Sequence, residues 1–260
     1  YYPLQKCAHS IMWTMTETEP MSKHYEPGSY IYKWLERVDE VWVPTDMDMK
    51  RFGEIVPKGK LFKMNLGIRT DQFNKDVSPL AITNTKDKFV FLVDATWSPR
   101  KGLKYIIDAY CKAFKKSDPV CLFLLCKYGT RPYGAMYNVC STIWKRVKNR
   151  RILHNLPGMQ MVEYYGDSMW SIPVSFKRMC DELCVDLNNA PEICLLDIPI
   201  HENILPNFYA SSHCVVGASL GESTWLPGIQ ALAMGLPIIQ MRQNNGGIGE
   251  YISSKCSLLY

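Results

Sequence analysis

The sequence predicts an α/β protein built from two Rossmann-like domains with parallel sheets, the first of which is incomplete. Short apolar stretches of strand character alternate with amphipathic helical stretches along the chain, and this alternation is typical of parallel sheets. A polar, aperiodic segment over residues 70–87 interrupts the alternation, as a hinge between domains does. A second series of strand and helix stretches begins at Phe89.

Residues 1–80 form the predicted first domain together with the hinge. Apolar residues at 8–14 and 40–44 predict two of its strands, and a helical stretch separates them. Thr45 is a good N-cap for a helix that runs through Phe52. The order of strand, helix, strand, helix and strand predicts a parallel sheet.

Residues 81–260 form the predicted second domain. The apolar run Phe89 to Val93 predicts its first strand, and a loop at 97–102 leads into a helix. The remaining strands are expected at 120–126, 192–198, 214–216 and 237–241, and the helices at 103–116, 136–151, 177–187, 205–210 and 226–234. Residues 152–170 have only a weak pattern and are interpreted as an insertion.

Composition excludes several other classes of protein. With 47% hydrophobic and 21% charged residues, the 260-residue chain is globular rather than disordered. A net charge of +5 tolerates anionic ligands but gives no reason to expect a nucleic-acid partner. The ten cysteines have neither disulfide-framework nor zinc-ligand spacing, so reduced thiols and no metal site are expected.

The expected location is cytoplasmic. No apolar run reaches the roughly 18 residues that a membrane-spanning helix needs, and the chain opens at Tyr1 without a leader pattern, as a fragment would. The basic run Lys145 to Arg151 allows a peripheral membrane contact, although cations at a helix end more often face solvent.

The most informative stretch runs from Ser219 to Pro237. It follows a predicted strand and opens a helix, so its backbone N–H groups point toward the strand ends, where phosphates bind in such folds. The carboxylate of Glu222 lies in this loop and can accept hydrogen bonds from sugar hydroxyls.

This stretch resembles the donor-site signature of retaining GT-B glycosyltransferases of family 4, in which two acids stand eight residues apart. Here the first acid is Glu222, and the second position holds Gln230. Three further segments resemble motifs of the same family in the same order, namely 39–45, 99–102 and 205–212. The resemblance covers about residues 8–252 without 152–172, and it implies a GT-B fold. In that fold, residues 1–80 would be the C-terminal part of the acceptor-binding domain with the hinge, and residues 81–260 the nucleotide-sugar donor-binding domain.

The resemblance also implies roles for individual residues. Lys101, next to Arg100 in the loop, neutralises the departing diphosphate without a metal ion. Glu222 contacts the donor sugar, Gln230 holds the nucleotide ribose with a neutral amide, and Glu17 faces the reacting sugar carbon. The remaining candidates for donor binding are Thr96, Ser223, Thr224, Trp225, Leu226 and Gly247.

This sequence departs from the family at several of these positions. Thr96 stands where an arginine is usual, and Ser223 and Trp225 replace small glycines. The tryptophan is expected to crowd the approach of phosphate to the backbone. A dehydrogenase is excluded, because no Gly-x-Gly-x-x-Gly loop follows a strand.

Two functions therefore stay open. One is a working transferase that moves a sugar with retention from a UDP- or GDP-sugar to a glycan, lipid or protein acceptor, with no other cofactor. The other is a catalytically weakened binding or scaffold domain.

Overall fold

The computed structural model describes residues 8–17, 25–82, 85–128, 159–161, 172–196, 200–241, 246–252 and 257–259. They form two sheets, one of three strands and one of seven, in which every strand pair is parallel. This arrangement confirms the predicted α/β class with two parallel, Rossmann-like sheets. Within the residues just given, no helix is both long enough and apolar enough to cross a bilayer.

The three-stranded sheet contains β1 (Ile11–Trp13), β2 (Glu40–Val43) and β3 (Leu61–Lys63), in that order. Helix α1 (Tyr30–Arg37) connects the first two strands, and α2 (Asp46–Phe52) follows the second. Crossover helices of this kind are what parallel pairing requires.

Local capping fixes where both helices begin. The hydroxyl of Ser29 accepts a hydrogen bond from the amide of Tyr32 at 3.2 Å, and that of Thr45 accepts one from the amide of Asp48 at 3.1 Å. Each bond satisfies an amide that has no partner within its helix. The N-cap predicted at Thr45 is therefore confirmed.

The seven-stranded sheet has the order β10-β9-β8-β4-β5-β7-β6. Its strands are β4 (Phe89–Trp97), β5 (Val120–Tyr128), β6 (Met159–Met161), β7 (Glu192–Leu196), β8 (Cys214–Gly217), β9 (Ile238–Gln240) and β10 (Ser257–Leu259). Its helices are α3 (Leu103–Ala113), α4 (Ile172–Glu182), α5 (Leu205–Ala210) and α6 (Leu226–Ala233).

Helices cover both faces of this sheet. Ile107 of α3 and Phe176 of α4 are fully buried in the cluster on one face, and Tyr209 of α5 and Ala231 of α6 are fully buried in the cluster on the other. The central strands are therefore apolar on both sides, which explains why β4 and β5 read as continuous apolar runs.

The structure corrects two details of the predicted order. Residues 159–161, inside the segment interpreted as an insertion, form β6 beside β7. Helix α4 begins at Ile172, before the predicted start at residue 177. The helix predicted at 136–151, with its basic run Lys145 to Arg151, lies outside the described residues.

Candidate functional site

The strand order creates a crevice beside β4. After β4 the chain adds β5 on one side, and it later returns to place β8 on the other side. Open α/β sheets bind their ligands where the strand order reverses in this way, outside the carboxyl ends of the strands. The loops that follow β4 and β8 meet at this point, since the amide of Leu220 donates to the carbonyl of Arg100 at 2.8 Å.

The backbones of the two loops approach each other closely. Pro99–Lys101 forms a single 3-10 turn, and Gly102 follows with a φ of +66° before α3 begins. A Cβ atom on Gly102 would lie 2.8 Å from the carbonyl carbon of Ala218, with the carbonyl oxygen closer still. Glycine is therefore required at this position both for its backbone angle and for its lack of a side chain.

Four of the predicted site residues lie in one charged cluster. Glu222 is only 2% exposed, and one of its carboxylate oxygens accepts a hydrogen bond from the ammonium of Lys101. Arg100 lies 3.2 Å from the other oxygen. The guanidinium also donates to the carbonyl of Gly221 at 2.6 Å and to the carboxylate of Glu17 at 2.7 Å.

This cluster crosses from one sheet to the other. Glu17 follows β1 of the three-stranded sheet. The other three members of the cluster belong to the loops of the seven-stranded sheet. Two cations and two carboxylates give the cluster no net charge. A phosphate that approached Lys101 would therefore compete with Glu222 for the same ammonium.

A second contact between the sheets is buried and centres on Asp48. Its carboxyl accepts three hydrogen bonds, from the amide of Thr16 at 2.9 Å, from the hydroxyl of Thr45 at 2.6 Å and from the hydroxyl of Ser223. Asp48 and Ser223 are both fully buried. The side chain of Ser223, a predicted donor-binding residue, is thus used for contact with α2.

The side chain of Trp225 points into the core rather than into the crevice. It is 4% exposed and belongs to the apolar cluster beneath α6. Cβ atoms on Gly217 and Gly228 would each lie 2.5 Å from atoms of its ring, so these two glycines make room for the indole. The expected crowding of the phosphate approach by Trp225 is therefore wrong, because the indole fills an interior space between the two glycines.

The side-chain amide of Gln230 contacts the hydroxyl of a buried tyrosine. The hydroxyl of Tyr209 lies 3.0 Å from Oε1 of Gln230 and 2.9 Å from Oδ2 of Asp94. Since a hydroxyl has one hydrogen, a second donor is needed, either a protonated Asp94 or the amide group of Gln230. Burial raises the pKa of the Asp94 carboxyl, which favours the protonated acid.

Asp94 gives a prediction for the pH dependence of stability. A carboxyl group whose pKa rises on folding from 3.8 binds its proton more tightly in the folded chain. The free energy of unfolding should therefore fall as pH rises from 3.8 through the folded pKa. Asp94→Asn, which keeps an acceptor for Tyr209, should remove this decline.

The measurement is urea unfolding of both proteins between about pH 4 and pH 8. The wild-type value minus the variant value isolates Asp94 from all other titrating groups. A difference that rises with pH would contradict the prediction, because it would mean that the folded protein prefers the ionised carboxylate.

The remaining predicted residues lie around the crevice. Leu226 is exposed at the start of α6, and Thr96 lies near the end of β4 opposite Lys127. Gly247 packs against Thr45, and its amide donates to the carbonyl of Glu222 at 3.2 Å.

Thr224 lines a cavity of about 440 Å³ between the two sheets. Residues from both sides contribute polar groups to it, among them Lys63 and Asp46, whose side chains form an ion pair at 2.8 Å. Lys63 also donates to Glu250 at 2.9 Å. This cavity is therefore bordered by charges that are already paired.

Sequence reasoning missed four residues that lie in or beside this region, namely Asp48, Asp94, Tyr209 and Lys127. Asp94 had a detectable signal, since it is a lone acid inside the apolar strand β4. Lys127 had a similar one, as a cation directly after the apolar run of β5. Nothing in the local sequence of Asp48 or Tyr209 distinguishes them from ordinary helix residues.

A group of possible metal ligands lies near the amino ends of β5 and β7, at the end of the large sheet away from the crevice. Among the described residues, Cys121, Glu192 and Cys194 place their ligand atoms within 4.8 Å of one another. The carboxylate already accepts a hydrogen bond from Lys88. The hydrogen bond with Cys194 and burial raise the pKa of the Cys121 thiol, so the neutral thiol is favoured.

No protein-family model and no curated protein matches this chain. Solved structures do match. WaaG, a glycosyltransferase involved in lipopolysaccharide biosynthesis, aligns with a TM-score of 0.58 and 13% identity over 96% of this chain and 60% of its own. Anabaena Alr3699/HepE in complex with UDP-glucose aligns with a TM-score of 0.57 and 14% identity, over 88% and 51%.

The sucrose-phosphate synthase of Thermosynechococcus elongatus aligns similarly, with a TM-score of 0.56 and 17% identity over 87% of this chain and 46% of its own. The chain spans about half the length of these structures. The fold is thus that of GT-B glycosyltransferases, and the described residues form its seven-stranded and three-stranded sheets.

Proposed function

We propose that this chain is the donor-binding half, with part of the acceptor half, of a glycosyltransferase. The enzyme would transfer a sugar from a nucleotide-sugar donor to an acceptor with retention of the anomeric configuration. One observation carries the proposal, namely that Lys101 and Glu222, 121 residues apart, are in contact at the switch point of the sheet. Nucleotides bind at this place in open α/β sheets.

The charged cluster can stabilise a leaving group. In the proposed reaction the bond between the sugar C1 and the diphosphate oxygen breaks, and the diphosphate gains negative charge. The ammonium of Lys101 is held in place by Glu222 before the reaction, and it can stabilise that charge without a metal ion. Glu222 would accept hydrogen bonds from hydroxyls of the donor sugar.

Gln230 is suited to bind the nucleotide ribose. One end of its amide contacts Tyr209, and the other has no hydrogen bond within the described part of the chain. Anchoring one end of a side chain reduces the entropy that its other end loses on binding a ligand. The free end of the amide would therefore pair with a ribose hydroxyl.

Glu17 places a carboxylate of the acceptor side next to the donor loop. In the proposed mechanism the acceptor hydroxyl attacks C1 on the face from which the diphosphate departs, and its proton passes to the departing phosphate oxygen. No protein nucleophile is needed, since the main requirement is that the two substrates are aligned. Glu17 would contribute to that alignment through its ion pair with Arg100.

A binding or scaffold role is the second candidate. It is favoured by the mutual neutralisation of the four charged groups, together with the uncharged Thr96 and Gln230 at positions where the related family has charge. The donor base, the acceptor, and a cytoplasmic location with membrane contact through Lys145 to Arg151 stay predictions.

Calorimetric titration with UDP, GDP and their common sugar conjugates tests the proposal. We expect one nucleotide sugar to bind with a Kd of about micromolar order. Lys101→Ala should weaken binding of the same ligand about 10- to 100-fold, because it removes a charge-assisted contact to the diphosphate. Glu222→Gln should weaken binding of the sugar conjugate more than that of the free nucleotide.

Lys112→Ala is the matched control, since it removes a lysine of α3 that, among the described residues, pairs only with Asp108 in the same helix. Its affinity should equal that of the wild type. Binding of none of these nucleotides by the folded protein would leave the scaffold role. Retention is tested separately by NMR, as the anomer first released when the donor is hydrolysed should match that of the donor.

A further inference from the structure

Lys127 occupies the carboxyl end of β5, next to the crevice. In the register of the two strands, Lys127 lies opposite Thr96, and Leu125 lies opposite Asp94. Paired residues of parallel strands point to the same side of the sheet. The side chains of Lys127 and Thr96 therefore leave the sheet on the same face, at the edge where Lys101 follows β4.

Unlike the ammonium of Lys101 and the guanidinium of Arg100, the ammonium of Lys127 is not held in an ion pair within the described residues. Its side chain is exposed, and within the described residues it makes no hydrogen bond or ion pair. Lys101 and Arg100 are both bound to Glu222. The positive charges of Lys127 and Lys101 both act on the carboxyl of Asp94, where they oppose the rise of its pKa, so both ammonium groups lie within electrostatic reach of the same end of β4.

Binding of a diphosphate in the crevice would require a further positive charge. The cluster of Glu17, Arg100, Lys101 and Glu222 is neutral as a whole. A nucleoside diphosphate brings two to three negative charges, roughly, near neutral pH. Thr96 has no charge that could pair with the diphosphate, whereas Lys127, its neighbour on β5, is positively charged.

We propose that Lys127 is a diphosphate-binding residue of the donor site, which supplies from β5 the positive charge that position 96 on β4 lacks. The inference rests on the proposed function and adds to it a residue outside the loops that carry Lys101 and Glu222. The ligand class is the diphosphate of a nucleoside diphosphate, free or joined to a sugar. The nucleoside itself makes no contact with Lys127.

The test is titration of wild type and Lys127→Ala with UDP, GDP, uridine and guanosine. For the diphosphate that wild type binds, the variant should lose about tenfold in affinity, as expected for one charge-assisted contact. The matching nucleoside should bind both proteins equally. Lys112→Ala lowers the net charge by the same amount and should bind the diphosphate as wild type does.

Thr96→Arg in the Lys127→Ala background provides a rescue, because it moves the cation to the neighbouring strand on the same face. It should restore the diphosphate affinity to within about threefold of wild type. Equal diphosphate affinity of wild type and Lys127→Ala would overturn the inference alone, as would an equal loss for nucleoside and diphosphate. A folded wild type that binds neither diphosphate would overturn the proposed function and this inference together.

Discussion

Gly102→Ala should destabilise the protein by about 2–5 kcal/mol and abolish the proposed nucleotide binding. A side chain at a φ of +66° costs about 1–2 kcal/mol. The added Cβ would also collide with the backbone of Ala218, which cannot move aside as a flexible side chain does, and overpacking of this kind adds about 1–3 kcal/mol. The displaced backbone would carry Lys101 away from Glu222.

Gly235→Ala is the matched control. Gly235 has a nearly equal φ of +72°, but none of the residues that the structure describes lies within 4 Å of its Cβ position. This variant should therefore lose only the conformational term of about 1–2 kcal/mol and bind ligand normally. Urea unfolding and calorimetry measure the two effects. Equal destabilisation by the two variants would show that the loops after β4 and β8 do not approach each other closely.

Asp48→Ala should cost about 3–4 kcal/mol. The substitution leaves one backbone amide and two hydroxyls without their buried acceptor, and each such donor costs about 1–3 kcal/mol, reduced where a hydroxyl can rotate to another acceptor. Asp46→Ala, two residues earlier in α2, is the control. The side chain of Asp46 is 74% exposed and pairs with Lys63, so its loss should cost no more than about 1 kcal/mol.

Ser223→Ala separates the contact between the two sheets from the rest of the Asp48 network. It removes one of the three hydrogen bonds and leaves those to Thr16 and Thr45, so about 1 kcal/mol is expected. The double variant with Asp48→Ala should then be no less stable than Asp48→Ala alone. Full additivity of the two changes in urea unfolding would show that the two side chains do not interact.

The elements of the large sheet could be read from the sequence wherever the chain is apolar over a sufficient length. β4 and β5 were predicted because both faces of a central parallel strand are buried, so nearly every residue is apolar. β6 and β10 were not, because each has only three residues and no longer apolar run surrounds it. Only the backbone bonds to β7 and β9 define them as strands.

The side chains of the donor loop show a second limit. The sequence shows that position 225 holds a tryptophan where small residues are usual in the family. It does not show in which direction the indole points. Burial of the indole depends on Gly228, in the helix that Trp225 precedes, and on Gly217, at the end of β8. Local sequence does not record which residues of other elements leave room for a large side chain.

By itself, the sequence determined the α/β class and the helix start at Thr45, and it singled out Lys101 and Glu222 as candidate site residues. These features depend on neighbours within a few residues, or on a motif carried in one segment. The tertiary structure alone decided that Lys101 contacts Glu222, that Ser223 binds Asp48 and that Lys127 stands beside Thr96. Such pairs are 31 to 175 residues apart, and they meet because strand order and register, set by burial of the whole sheet, bring distant loops to one edge.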